Sequence, residues 1–581
     1  MRAKASSKII AMAVAGLLLT ACSGGGGDSD GGSGPGSPPP PPPPPPVTKI
    51  DTEPDAVRFL ARATFGGTKA QVAAVATMDA ADWLASEFAK PQTLTLAILQ
   101  AQPRDIDGDI PRNRATELYW DHLITADDQL RQRMALALSQ ILVYSDISDQ
   151  GHQERRAYYQ DILIRNAFGN YRDLLQEVTY SPAMARWLTY WRNRKGDART
   201  GRMPDENYAR EVLQLFSIGL IELNMDGSPK LDAQGQQIET YTNDDIIGLA
   251  RVFTGLTGKG TSFNTTDEDY NYNPLIMYDE RHSPLEKVFL GTTIPANTGG
   301  TESVNTALDT IFAHPNVGPF LSRQLIQRLT HSSPSPAYVQ RVATAFENGI
   351  YTAPNGRRFG ASQRGDLEAT LAAIMLDESL FLKDGDDASI VTKGKIREPI
   401  LRFVHWARAF DLANIDASNE GKLRVTTDPI TGLGQQPMRA PSVFNYYRPG
   451  YVAPGTLSGD RNLTTPEFQL VNEGTSVGYL NFMTEYAFDR AYKRDRDIAT
   501  YKPDYSEEIA LTSDIPALMT HLEILLTADR MTQAERDELI AILQLMPINT
   551  DTPEKEAVDR EQIVYTAVAL VLNSPSFAIT W

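Results

Sequence analysis

The side chains best suited by type and spacing to do chemistry sit in PDENYAREVLQLFSIGL, Pro204–Leu220. Tyr208, Ala209, Val212, Leu213, Leu215, Phe216, Gly219 and Leu220 recur there at helical spacing and form one apolar stripe. Glu211 falls inside that stripe, Asn207 lies one turn before it, and Arg210 is adjacent. A carboxylate on an inward face has to be neutralised or employed, because burying it alone costs too much. Two readings follow: a structural Arg–Glu tie between helices, or a working site that uses Asn207, Arg210 and Glu211. Downstream, His282 precedes Ser283-Pro284, which places it in an extended or turn segment. It follows the acidic stretch Asp267–Asp269, where a histidine serves as a general base, a metal ligand or a packed donor. Asp244 and Asp245 open a helix capped by Thr242, as binding carboxylates or as partners of the helix dipole. His314-Pro315-Asn316 opens another, and capping is again the plainer role for the trio.

Other chemistries lack their patterns. The chain has no His-Glu-x-x-His, no phosphate-binding glycine loop, no Gly-x-Ser-x-Gly elbow and no dinucleotide fingerprint. No nucleotide cofactor is expected, and no ligand spacing supports a metal. Asp105-Ile106-Asp107-Gly108-Asp109 resembles part of a calcium loop, but its glycine comes too early and Thr116 stands where the closing glutamate belongs. It reads as a polar surface loop. Ser217 lies in a helical pattern without the leading glycine of a nucleophile elbow.

The elements that must position these residues are helical. Arg114–Val143 reads as one long helix, and Phe312–Leu329 as another with Phe320, Leu321, Leu325 and Ile326 inward and Arg323 and Arg328 outward. Lys395–Leu412 is strongly helical and carries His405 beside Trp406. Lys230–Glu239 reads as a short hairpin with Gly235 at its turn, and Gln436–Gly455 as an ordered irregular loop of the kind in which sites tend to lie. The expected fold is mainly α: one large multi-helix domain over residues 51–581, of one or two lobes, with a small β-hairpin insertion and long ordered loops.

The N-terminus speaks about location. A basic start with Arg2, Lys4 and Lys8 leads into an apolar run, Ile9–Thr20, too short for a comfortable membrane span. It ends Leu19-Thr20-Ala21-Cys22, which resembles the lipobox of bacterial lipoproteins. That resemblance implies a signal peptide over residues 1–21, lipidation of Cys22 and a membrane anchor. Ser23 after the cysteine is compatible with sorting to an outer membrane. Residues 22–50 form a Gly/Ser/Pro-rich tether, flexible at first and then a polyproline rod over Pro38–Pro46. Cys22 is the only cysteine, so a disulfide or a cysteine nucleophile is excluded within the chain. Formal net charge is −18, and loss of the three leading basic residues takes it to about −21. Phosphate backbones repel such a chain, so nucleic acid is not an expected partner.

Three segments together carry a family resemblance: FLARATFG (Phe59–Gly66), PDENYAREVLQLFSIGL with YTNDDIIGLARVFTGLT (Tyr241–Thr257), and the terminal NSPSF (Asn573–Phe577). The chain resembles the large bacterial family known as domain of unknown function 1800. The family brings no established activity. Its members are often secreted and encoded beside proteins resembling alkaline phosphatases and sulfatases, which implies an exported partner of that type. The family pattern has a histidine followed by a lysine that match His282 and Lys287. Some members carry a histidine pair where this chain reads ALSQILVYSD (Ala137–Asp146), which puts a metal there in doubt. An envelope-anchored accessory or binding protein is the favoured reading. The alternative is an extracytoplasmic hydrolase or other enzyme combining Asn207, Arg210 and Glu211 with His282 and the Asp244, Asp245 and His314 groups.

Overall fold

A computed structural model describes residues 48–580 apart from 112, 148–151, 382–393, 415–422, 424, 426, 429–431 and 489–500. Cys22, the signal segment and the proline run lie outside the described residues. Side chains that can cap start many of the helices. Thr52, Thr68, Asn170, Thr242, Asp366 and Thr552 each accept a backbone N–H in the first turn of the helix that follows. Strands are few: the described residues hold five two-stranded antiparallel ribbons. The mainly α expectation holds. Residues Pro46–Trp581 form one compact unit, with a main apolar core that takes in side chains from Ile50 to Phe577 and a small separate cluster around Leu99, Ile110 and Leu118, so this unit carries the core it needs to fold on its own. No helix among the described residues is long and apolar enough to cross a membrane.

Local polar chemistry reshapes two of the expected helices. Arg114–Val143 is two helices, Arg114–Thr125 and Gln129–Ser139, because the chain turns extended at Ala126 (ψ 142°). Asp128, in that break, accepts the backbone N–H of Thr93 at 3.0 Å. The apolar stripe from Tyr208 to Leu220 likewise outruns its helix, which covers only Asn207–Gln214. The N–H groups of Ile218 and Gly219 both turn back to the carbonyl of Leu213, and Gly219 takes φ +71°, a C-terminal close that suits glycine. Glu206 is the N-cap of this helix, and Asp205 before it accepts from Asn207 N through Oδ1 at 2.9 Å.

Beyond Gly219 the chain forms the hairpin insertion as a narrow ribbon. Isolated bridges pair Ile221 with Glu239, Leu223 with Pro229 and Leu231 with Gln237, and Gly235 holds φ +79° at the tip. The Asn243–Val252 helix then packs hard on the strand Lys287–Phe289. A Cβ at Gly248 would stand 1.8 Å from the carbonyl oxygen of Val288, so only glycine permits this approach. On the Val317–Leu329 helix the expected outward Arg328 is instead 2% exposed, drawn in by the carbonyls of Gln324 and Gln140 (3.0 Å each).

Candidate functional site

Glu211 is 8% exposed, and its Oε2 is buried without a hydrogen-bond partner among the described residues. Burial raises its pKa, with Arg210 opposing. Arg210 pairs with Glu206 in its own helix at 3.4 Å, so no tie between helices is made here. Among the described residues Asn207 Nδ2 reaches only Thr189 Oγ1, at 3.4 Å. Among the described residues no hydrogen bond or ion pair joins Asn207, Arg210, Glu211 and His282. A carboxylate whose folded pKa lies above its unfolded one is penalised as pH rises past the ordinary value of 4.5. Glu211→Gln is therefore expected to raise stability at pH 7 by about 1 kcal/mol, with the gain vanishing below pH 4.5. Urea unfolding at pH 7 and pH 4 measures it; an unchanged or lowered stability at pH 7 would mean the carboxylate has a partner.

His282 is 3% exposed and both ring nitrogens are engaged. Nδ1 lies 2.9 Å from the carbonyl of Thr254, and Nε2 lies 3.3 Å from Ser303 Oγ. Burial lowers its pKa, with Lys287 adding a like charge. This is the packed-donor arrangement: the ring ties the end of the Asn243–Val252 helix to the Gly300–Ala313 helix. Lys287 is fully buried in its strand, donates to the carbonyl of Leu285 at 3.2 Å, and has its pKa lowered by burial and then by Arg251. Asp244 is exposed in its first turn. Asp245 completes a capping box with Thr242 and also accepts Leu290 N at 2.7 Å, bonds that hold its pKa down against burial. His314 Nδ1 accepts from Asn316 N at 3.1 Å. Asn316 is fully buried and clamps the chain after Gly219: Oδ1 accepts Leu223 N (2.9 Å), while Nδ2 donates to the carbonyls of Ile218 (2.9 Å) and Ile221 (2.8 Å).

That clamp shapes the wall of a cavity of about 380 Å³. Its sides come from Gln214 and Leu215 on the Asn207–Gln214 helix and its end, and from the clamped segment Gly219–Leu223. Phe320, Arg323, Gln324, Gln327 and Arg328 of the Val317–Leu329 helix complete it with Val443–Gly450 of the irregular loop. Glu211 stands one turn before Leu215 on the same helix. An ionic cluster adjoins this wall through Gln327 and Gln140. Lys395 pairs with Glu467, lies 3.8 Å from Glu398, and donates to the carbonyl of Gln327 at 2.9 Å. Gln140 Nε2 donates to Glu398 (2.7 Å) and Ser332 Oγ to Glu467 (2.9 Å). All three charged groups of this cluster are essentially inaccessible. Gln327 Nε2 reaches the carbonyl of Pro449 at 2.9 Å, fixing the loop over the helix.

Sequence reasoning missed this ionic cluster. A trace was visible: Arg133 and Gln140 lie on the Gln129–Ser139 helix and its cap, where apolar neighbours surround them, and the Gln436–Gly455 loop already stood out. No spacing links Lys395 to Glu467. One group of potential metal ligands, Glu507, Glu508 and His521, occurs among the described residues. Lys69 Nζ already pairs with both carboxylates, at 3.1 Å from Glu507 and 2.7 Å from Glu508.

The profile of the family described as protein of unknown function, DUF1800, matches residues 58–579. The chain belongs to that family. No curated protein and no solved structure matches it. In this DUF1800 chain the segments that open and close the match meet at one helix, Pro399–Ala409. Arg408 Nε donates to the carbonyl of Gly66 at 2.7 Å. Arg397, just before the helix, donates to the carbonyl of Phe577 at 2.9 Å and lies 4.1 Å over its ring. A Cβ at Gly66 would stand 2.4 Å from the ring of His405. Arginines thus bond carbonyls near the first and last residues of the match and join these two segments.

Proposed function

We propose that this protein is a binding component of the cell envelope, anchored through lipid on Cys22, which captures a small ligand in the cavity beneath the Val443–Gly450 loop. The observation that carries the reading is the cavity wall: 18 residues, three of them arginine and none Asp or Glu, in a chain where 73 of 581 residues are acidic. Its volume falls in the range of small-ligand sites, and its apolar sides with a few converging polar groups have the usual make-up of one. Binding is preferred to catalysis because the histidine singled out by sequence, His282, has both nitrogens engaged in packing. An accessory role beside an exported partner resembling alkaline phosphatases and sulfatases rests on the family resemblance.

Native mass spectrometry of the protein recovered from its own membrane fraction tests the reading. The wild type is expected to carry a small-molecule adduct that Leu215→Trp, which fills the cavity, loses. Cys22→Ser is expected to move the protein out of that fraction. A wild type with no adduct, or an adduct retained by Leu215→Trp, would overturn the binding reading.

A further inference from the structure

The cations of the cavity differ in how they are used. Arg328 is spent on the protein, with its terminal nitrogens on the carbonyls of Gln324 and Gln140. Arg323 and Arg448 are not. Neither guanidinium meets a carboxylate among the described residues, although the chain carries 18 more negative than positive charges. Arg448 lies 5.2 Å over the ring of Phe444, which holds its planar fork at the cavity mouth. Arg323 is half-buried, and burial with no counter-charge lowers its pKa. The side-chain amides of Gln214 and Gln324 make no hydrogen bond within the protein among the described residues, and both line the same space. Between these polar groups the wall is apolar: Leu215, Leu220, Ile221, Leu223 and Phe320. Leu220 is 53% exposed and Phe444 39%, so apolar surface continues to the mouth.

A half-buried arginine without an anion is unfavourable to the free protein. An anionic group supplied from outside removes that penalty, and a guanidinium fork recognises carboxylate and phosphate alike. A cationic ligand meets the same two charges as repulsion. A purely polar anion leaves the apolar wall wet, whereas an apolar tail dries it. We infer that the cavity binds a small amphiphile with an anionic head, carboxylate or phosphate, held by Arg323 and Arg448, and an apolar tail laid along Leu215, Ile221, Leu223 and Phe320. This rests on the binding reading above and narrows it to one ligand class.

The test is calorimetric titration of the unit Pro46–Trp581, purified without detergent, with octanoate, octyl phosphate, octanol and octylammonium. At least one of the two anions is expected to bind about tenfold or more tightly than octanol, and octylammonium weakest of all. Stronger binding of octanoate points to a carboxylate source, stronger binding of octyl phosphate to a phosphate source, and either supports the inference. Arg323→Gln and Arg448→Gln are each expected to weaken anion binding about tenfold while leaving octanol binding and the circular dichroism spectrum unchanged. Octanol or octylammonium binding as tightly as the anions, or anion binding indifferent to both variants, overturns the anionic class while leaving a cavity that binds. If none of the four binds, yet the membrane-derived protein carries an adduct sensitive to Leu215→Trp, the amphiphile inference fails and the binding reading stands.

Discussion

Lys395→Met is expected to destabilise the protein by about 3–5 kcal/mol, because it strips the cation from two carboxylates that have no water to turn to. Glu467 and Glu398 are each 1% exposed, and Lys395 is their only cationic contact within 4.0 Å among the described residues. Hydrogen bonds from Ser332, Gln140 and Gln435 soften the loss without replacing the charge. The same substitution frees the carbonyl of Gln327, whose side chain holds the loop at Pro449. Ligand binding should therefore fall along with stability. The double variant Lys395→Met with Glu467→Leu is expected to recover part of the loss, since it replaces the closer pair by apolar groups while Glu398 stays buried without a cation. Urea unfolding of the three proteins decides it. A single variant within about 1 kcal/mol of wild type would show that this cluster is more hydrated than its burial indicates.

Asn316→Ala should cost about 3 kcal/mol, from a single amide that serves three backbone groups. Its loss leaves the N–H of Leu223 and the carbonyls of Ile218 and Ile221 unpaired at the cavity wall. Asn316→Asp keeps the acceptor for Leu223 but turns a carboxylate toward two carbonyls, so it should be no better than alanine. Amide exchange separates this from a general loss of stability. The N–H of Leu223 should lose its protection in Asn316→Ala under conditions where those of the Leu367–Met375 helix keep theirs. Equal deprotection of both would mean that the whole unit has loosened and that the clamp is not local.

These two sites differ in how much of them could be read from sequence. Asn316 was legible as the opening residue of a helix, since proline followed by asparagine before an apolar run marks a start. Its side chain nonetheless serves a segment 93 residues away rather than its own helix. Asp245 was legible as a first-turn carboxylate of a helix capped by Thr242, but its bond to Leu290, 45 positions away, was not. Glu211 was legible as a carboxylate on an inward stripe. Among the described residues no arginine ties it to another helix, and Arg210 turns to Glu206 along the chain. Lys395, Glu398 and Glu467 were not legible as a site at all.

Sequence by itself determined what depends on near neighbours. Periodicity made the domain helical, capping side chains set where helices begin, and three short segments marked the family to which the profile match assigns the chain. Only the tertiary structure decided which polar groups share a cavity and which are consumed by packing. The bond from Gln140 to Glu398 spans 258 positions and that from Lys395 to Glu467 spans 72. Helical spacing says which side of a helix turns inward, because that follows from 3.6 residues per turn. It cannot say what the side meets, because that is fixed by how the whole core packs, and there desolvation chooses partners without regard to distance along the chain.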